Sequence, residues 1–455
     1  MGKIFYFLLS TVAVFQLACT SQKQVTKSPE SIAVIDRNPI ATFANATIFS
    51  DSNFTSAHVG ISIYNPESQQ YLYNYQGDKY FVPASNMKLF TCYAAMKNLG
   101  DSLVGLRYNI NETGSLAIQP TGDPTFLHAD FKGQPVFKFL EKISKATFFN
   151  DNWTEKPLGS GWAWNDYGDY YMAERSSMPI YGNTAKFYLD KKTNALRFMP
   201  LVFNKMLLNE PITLVTDSFN INRSYTDNVF QIEKSNSKFK AKEIPFITHQ
   251  LVVPLFLLND TLHRDFKTSI FSLQPFSKKS NHIIYSQPTD SLLKPMMHNS
   301  DNFFAEQTLL MVSNEKLGVM NDEKIIDTLL KTDFKGLPQK PKWVDGSGLS
   351  RYNLITPQDF VWVLTKMKND FSWQRITTIL ATGGEGTISN FYKNLAGKIF
   401  AKTGTLSGEV ALSGYLITKQ NKTLVFSVLV NNHQTSATAI RRSVEQFLNK
   451  VYEQY

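Results

Sequence analysis

The sequence predicts an α/β fold of the α+β type, with one antiparallel sheet flanked by helices and interrupted by a large, mostly β insertion. Three observations carry this. Strand–turn–strand patterns stand near both ends of the chain. Helical patterns follow each of them. The stretch between is too long, in a chain of 455 residues, to be a loop. Two chain ends that share one sheet leave the middle as an inserted body.

The elements follow in order. Residues 58–65 and 70–75 alternate as strands around the turn Pro66-Glu67-Ser68-Gln69. After Phe81-Val82-Pro83 a helical pattern runs over residues 84–98, and Gly100 offers a stop. Residues 46–103 therefore read as the first part of the sheet domain. Residues 104–287 read as the insertion, with short β-like runs at 212–215 and 251–258. Residues 288–455 return to the sheet domain. There, 412–418 and 424–430 flank Lys419-Gln420-Asn421-Lys422 as a second hairpin. From Ala437 to Tyr452, the residues Ile440, Val444, Phe447, Leu448 and Val451 fall on one helical face.

The N-terminus reads as an address. Lys3 precedes an apolar stretch that ends at Leu17, shorter than the roughly 20 residues of a membrane-spanning helix. Residues 1–19 are expected to be a signal peptide. Leu17-Ala18-Cys19-Thr20-Ser21 resembles a bacterial lipoprotein cleavage site, with Cys19 acylated to hold the protein at a membrane. Gln16 departs from the aliphatic residue usual three places before the cysteine. Residues 20–45 are polar and read as a tether. The expected location is the bacterial cell envelope, exported to the periplasm as a membrane-anchored lipoprotein.

Composition narrows the function. Hydrophobic residues make up 43% and charged residues 19%, which is globular. The net charge of +9 is spread along the chain. The densest basic run holds Lys234, Lys238, Lys240 and Lys242 and reads as a solvated loop, so no nucleic-acid partner is expected. Two cysteines, Cys19 and Cys92, make neither a disulfide framework nor a thiolate metal site, and Cys92 reads as core. Seven scattered histidines lack a ligand pattern, so no metal or cofactor is expected.

Three motifs carry chemistry. In Ser85-Asn86-Met87-Lys88 the serine and lysine share a helix face, so Lys88 can take the proton that makes Ser85 a nucleophile. The lysine is a base only if burial or a neighbouring cation lowers its pKa. The pattern alone is weak, because similar tetrads begin at Ser235, Ser237, Ser291 and Ser313. Context favours Ser85: it follows a strand-like run and opens an apolar helix. Ser235 and Ser237 sit in the polar basic stretch, and Pro295 after Lys294 is expected to break any helix begun at Ser291. In isolation, Ser85 would equally serve as a helix cap.

Ser300-Asp301-Asn302 comes second. Ser300 can relay a proton to a leaving amine and Asn302 can bridge a substrate amide, although the segment also reads as a cap for the helix that follows. Lys402-Thr403-Gly404, followed by Thr405, occurs once. The lysine supplies charge, Thr403 a hydroxyl for a carboxylate, and Gly404 room for substrate backbone.

Together and in this order, the three motifs resemble the set shared by penicillin-binding proteins and class A β-lactamases. The chain is more narrowly similar to the low-molecular-mass class C penicillin-binding proteins, the D-alanyl-D-alanine carboxypeptidase/endopeptidases. Gly122-Asp123-Pro124, residues 161–166 with Asn183, residues 345–351 and residues 383–388 resemble further family landmarks. For the aromatic stretch 161–171, a folding role is expected. Gln119-Pro120-Thr121 replaces a usual glycine run, and Glu385 stands where the family has Asp. The interval from Ser85 to Ser300, close to half the chain, separates this family from class A β-lactamases, where it is much shorter.

The resemblance implies a serine β-lactamase/transpeptidase-like domain. It implies a Ser85 acyl-enzyme formed on peptidoglycan peptides, with β-lactam antibiotics as covalent inhibitors and no cofactor. Lys402 would keep Lys88 neutral by repulsion. The backbone N–H groups of Ser85 and Thr405 would form the oxyanion hole. Two alternatives stay open: a β-lactamase or esterase of the same superfamily, and a non-catalytic peptidoglycan-binding envelope protein.

Overall fold

Six strands form one antiparallel sheet in the order Ala381–Thr382, Ile399–Leu406, Glu409–Ile417, Thr423–Asn431, His58–Asn65, Gln70–Tyr75. This is seen in a computed structural model that describes residues 38–455 apart from 111–114, 191, 193–195, 207–211, 214–219, 235–240, 270–275 and 277–281. The signal-peptide reading, Cys19, most of the tether and the tetrads at Ser235 and Ser237 lie outside the described residues.

The N-terminal and C-terminal hairpins meet edge to edge. His58–Asn65 pairs with Thr423–Asn431 in the register Gly60 to Leu429 and Ser62 to Ser427. The two-residue alternation of the strands then gives the sheet two apolar faces. One face presents Ile61, Ile63, Leu412, Phe426 and Val428 to Ile440, Val444, Phe447, Leu448 and Val451 of the C-terminal helix Ala437–Gln454. The other presents Ala411, Tyr415, Val425 and Leu429 to the helices Lys88–Asn98, Asn302–Leu317 and Pro357–Asp370. Each side chain fully buried this way contributes about 1.5–3 kcal/mol.

The insertion leaves and rejoins this body along one strand pair. Ser102–Ile110 runs antiparallel to His282–Pro288, with Ser102 opposite Pro288 and Tyr108 opposite His282. These strands belong to a five-stranded sheet that adds Leu116–Pro120, Ala146–Phe148 and Lys267–Thr268. Two three-stranded sheets follow, around a separate apolar core that includes Phe148, Phe187, Phe203, Phe230 and Phe246. The buried Arg175 ties the insertion to the main body, pairing with Glu155, Glu306 and Asp322 at 3.2, 3.4 and 2.6 Å.

Three expectations need correction. The tether was placed over residues 20–45, but Pro39–Ala44 is a helix capped by Asn38, and its Ile40 and Ala44 are buried against the C-terminal helix. Reading residues 20–45 as one polar stretch hid it, because the short apolar run Pro39-Ile40-Ala41-Thr42-Phe43-Ala44 follows a polar segment. Residues 251–258 are not a strand: Val252–Leu262 is a helix closed by His263 in the left-handed region at φ 54°. A continuous apolar run of this length has no period that separates helix from strand. Pro295 does not end its helix. Thr289–His298 runs through it, held by the buried Leu292, Leu293, Met296 and Met297. Cys92 is core, and burial pushes its thiol up to about 12. Among the described residues, no helix is long and apolar enough to cross a membrane.

Candidate active site

Ser85 lies in a tight 3-10 turn, Ala84–Met87, that runs directly into the helix Lys88–Asn98. The turn is pinned on three sides. Ala84 adopts a left-handed φ of 47°. Gly348 packs so closely that a Cβ there would sit 1.8 Å from the Ala84 carbonyl oxygen. Asn86 donates to Ser413 Oγ at 2.7 Å, and Ser413 bonds Ser427 at 2.8 Å, anchoring the turn to the sheet. Lys88, at the first position of the helix, then reaches back over one turn. Its Nζ lies 2.9 Å from Ser85 Oγ.

Lys88 is fully buried, and its three donor directions are all used. They go to Ser85 Oγ, to Asn302 Oδ1 at 2.6 Å and to the Ser347 carbonyl at 2.8 Å. Burial lowers its pKa to about 8, against the pull of Asp345, Asp301 and Glu306. Of the two causes expected, burial or a neighbouring cation, it is burial that lowers the amine. The repulsion falls on Lys402, whose amine burial holds well below its ordinary range, with the Lys88 and Arg441 charges adding to the effect.

The second motif meets the first across the cleft. Asp301, not Ser300, caps the helix Asn302–Leu317 by accepting the Phe304 amide proton at 2.8 Å. That leaves Ser300, in the left-handed region at φ 59°, free to turn its hydroxyl toward Lys402 Nζ at 2.8 Å. Asn302 accepts from Lys88 and donates to the Tyr171 carbonyl at 3.1 Å.

The third motif lies on the strand Ile399–Leu406 beside the nucleophile turn. A Cβ on Gly404 would come within 3.0 Å of the Ser85 and Asn86 amide nitrogens, so only glycine lets the strand approach. Lys402 also donates to the Thr403 carbonyl at 2.7 Å. Thr403 Oγ1 donates to Thr387 Oγ1 at 2.6 Å, and Thr405 faces the open cleft. Ser85, Ser300, Asn302 and Thr405 line one cleft of about 880 Å³. Lys88, Lys402, Thr403 and Gly404 stand immediately behind it. The Ser291 and Ser313 tetrads are elsewhere: the Ser313 hydroxyl is used by the Val319 and Asn321 carbonyls.

Two features were not read from the sequence. The first supports Lys88 from behind. Asp345 accepts from the Gly348 and Ser350 amides at 2.8 and 2.6 Å and from Asn353, which folds residues 345–351 into a turn. That turn presents the Ser347 carbonyl to Lys88, and the Ser347 amide donates to Glu306 at 2.8 Å. The Asp-Gly-Ser-Gly run signalled a turn, but nothing in it named a partner. The second is the wall of the cleft. The aromatic stretch was assigned to folding, yet Asn165, Asp166, Tyr170 and Tyr171 line the cleft, and Tyr170 is 65% exposed. Trp162 does serve folding, donating to Asp345 at 3.0 Å. An exposed aromatic cluster was the signal available.

Chemically, the arrangement is a hydroxyl beside a buried amine of lowered pKa, with a second hydroxyl–amine pair across the cleft. Among the described residues, no group of three or more His, Cys, Asp or Glu side chains is placed to hold a metal ion.

Residues 44–231 and 258–451 match the family described as D-Ala-D-Ala carboxypeptidase 3 (S13). The chain is 24% identical over 474 residues to D-alanyl-D-alanine carboxypeptidase DacB of Haemophilus influenzae, covering 91% of this chain and 95% of that protein. It is 25% identical over 448 residues to the D-alanyl-D-alanine carboxypeptidase of Actinomadura sp., covering 86% and 80%. The crystal structure of penicillin binding protein 4 from Haemophilus influenzae shares the fold with a TM-score of 0.71 at 19% identity, covering 91% of this chain and 99% of that one. Its complex with a β-lactam aligns with a TM-score of 0.65.

Proposed function

Because the chain belongs to the D-Ala-D-Ala carboxypeptidase 3 (S13) family, we propose that it is a serine-type peptidase of peptidoglycan, a D-Ala-D-Ala carboxypeptidase or DD-endopeptidase or both. It acts through a Ser85 acyl-enzyme and is acylated by penicillin. The observation that carries the reading is the 2.9 Å hydrogen bond from Lys88 Nζ to Ser85 Oγ, which sets beside the hydroxyl an amine whose pKa burial brings down to about 8.

Neutral Lys88 takes the Ser85 proton as Oγ bonds the carbonyl carbon of the D-Ala residue on the N-terminal side of the scissile bond. The backbone N–H groups of Ser85 and Thr405 receive the oxyanion. Asn302 holds the substrate amide. As the C–N bond breaks, the Ser300 hydroxyl passes a proton to the departing amine, with Lys402 at 2.8 Å behind it. Water then hydrolyses the acyl-enzyme. A β-lactam opens by the same attack and blocks the site. Thr403 binds a terminal carboxylate.

Defined muropeptides test the reading. Wild-type protein should release terminal D-Ala or split D-Ala cross-links, measured by mass, and penicillin should abolish both. Products that persist under penicillin would count against it.

The finer location belongs with this function: export by the 1–19 segment, with acylated Cys19 holding the enzyme at a membrane on the periplasmic side. Mass analysis of the mature N-terminus checks it. A diacylglyceryl-Cys19 supports it, and an unmodified N-terminus at any other residue refutes it.

A further inference from the structure

We propose that Trp164 and Tyr225 form an aromatic platform at the rim of the cleft that stacks against sugars of the peptidoglycan glycan strand. This deepens the peptidase reading and rests on it, naming the part of the substrate held outside the cleft.

Trp164 and Tyr225 are the two most exposed large hydrophobic side chains among the described residues, at 72% and 66%. They come from separate segments. Trp164 opens the short 3-10 turn Trp164–Asp166, and Tyr225 lies in the loop between the strands Asn220–Arg223 and Phe230–Lys234. The fold brings the two rings to 6.2 Å between centroids, tilted by 37°. A single exposed aromatic needs no explanation, but a converging pair marks a surface that meets something.

The platform is set before any ligand arrives. Tyr225 stacks on Tyr167 at 4.4 Å and 24°. Tyr167 in turn lies over the Arg223 guanidinium at 5.1 Å and donates its hydroxyl to the Arg223 carbonyl at 2.8 Å. Arg223 is buried and donates to the Pro245 and Ser224 carbonyls at 2.7 and 2.8 Å. With one face on Tyr167 and most of its surface exposed, Tyr225 offers its other face outward. A ring held this way loses little freedom on binding.

Chain continuity ties the platform to the catalytic cleft. Ala163 and Asn165, on either side of Trp164, line the cleft that holds Ser85, as do Asp166 and Tyr170. A stem peptide joins the glycan through its N-terminal end, a few residues from the scissile bond at roughly 3.3–3.6 Å per residue. The sugars of a bound substrate therefore lie at the rim of the cleft.

The rings suit a sugar in shape and in charge. A pyranose presents flat C–H faces to an aromatic ring and turns its hydroxyls sideways to polar groups. Ser224, Thr226 and Asp227 flank Tyr225 along the chain, and Asn165 and Asp166 follow Trp164. The spacing of the two rings is comparable to the advance of one sugar along a β-linked chain. The acids Asp166, Asp169 and Asp227 disfavour an anionic polymer or an anionic lipid surface at the same place.

The test compares an N-acetylglucosaminyl-N-acetylmuramyl pentapeptide with the same pentapeptide lacking the sugars. Binding of both is measured to a Ser85→Ala background, with and without Trp164→Ala, Tyr225→Ala or Trp164→Phe. With both rings present, the sugar-bearing peptide should bind on the order of tenfold to a hundredfold more tightly. Each alanine variant should cut that ratio about threefold to tenfold, and Trp164→Phe should retain part of it. An unchanged ratio in either alanine variant, or no preference in the parent, overturns the platform. Equal weakening of both peptides, the mark of a merely structural role, also overturns it. Binding to phosphatidylglycerol vesicles that Trp164→Ala abolishes, without a sugar preference, would assign the rings to a membrane instead. A dimer that Trp164→Ala dissolves, again without a sugar preference, would assign them to a second copy of the chain. Penicillin labelling of wild-type protein reports on the peptidase reading separately. Loss of that label alongside an intact sugar preference would sink the reading and leave the platform standing.

Discussion

Glu306 and Ser347 are joined by a hydrogen bond of 2.8 Å, from the Ser347 amide to Glu306 Oε1, while the carbonyl of the same Ser347 accepts from Lys88 Nζ at 2.8 Å. The base is therefore held by a peptide unit that a buried carboxylate fixes from behind. Glu306 also faces Arg175 at 3.4 Å. Burial and then Asp345 push its pKa up to about 8. Removing it in Glu306→Ala leaves a buried amide and a buried guanidinium short of a partner. The variant should lose about 3–5 kcal/mol of stability, read by urea unfolding. Any folded fraction should also acylate more slowly with penicillin.

The pH dependence of acylation follows from Lys88. Only the neutral amine can accept the Ser85 proton, and the pKa is about 8. Below that value the neutral fraction falls tenfold per pH unit. The second-order rate of penicillin acylation should therefore rise about tenfold between pH 6 and 7 and level off above about pH 8. A profile flat from pH 6 to 9 would remove Lys88 from the role of base.

Ser300→Ala keeps the fold and removes the proton relay to the leaving amine. Peptide turnover should fall by about 10²–10⁴, measured as D-Ala release. Turnover within a few-fold of wild type would show that the 2.8 Å contact between Lys402 and Ser300 carries no chemistry.

Gly348 tests the packing of the nucleophile turn. Its φ is +82°, and a Cβ would fall 1.8 Å from the Ala84 oxygen. Gly348→Ala should cost about 3 kcal/mol or more from strain and overlap together, with loss of penicillin labelling because Ser85 moves. Unchanged unfolding and labelling would contradict the close approach.

Ile40→Ala asks whether the helix Pro39–Ala44 belongs to the folded body. Ile40 is fully buried among the side chains of the C-terminal helix and sheet. The substitution should destabilise by about 2–5 kcal/mol, seen as a lower urea midpoint. No change would return the segment to the tether.

The sheet was legible because its strands alternate and its turns are marked. His58–Asn65 and Gln70–Tyr75 have the bounds the pattern gave, and the C-terminal helix differs only in its last residues. Elements without a period were misread, as Val252–Leu262 shows. The three motifs were legible as residue types, and the structure brings Ser85, Lys88, Ser300, Asn302 and Lys402 together. What could not be read was contact between distant segments. Ser347 reaches Lys88 through a backbone carbonyl, which no side-chain pattern records. Burial was expected as one of two causes of a lowered Lys88 pKa, but that it outweighs a neighbouring cation is a property of the packed site rather than of the motif.

The most direct test of the central claim is intact mass after incubation with penicillin, followed by mapping of the modified peptide. Wild type should gain one penicilloyl group, on the peptide containing Ser85, and Ser85→Ala should gain none. Undiminished labelling of Ser85→Ala, or no label on folded wild type, would contradict the assignment of Ser85 as the nucleophile.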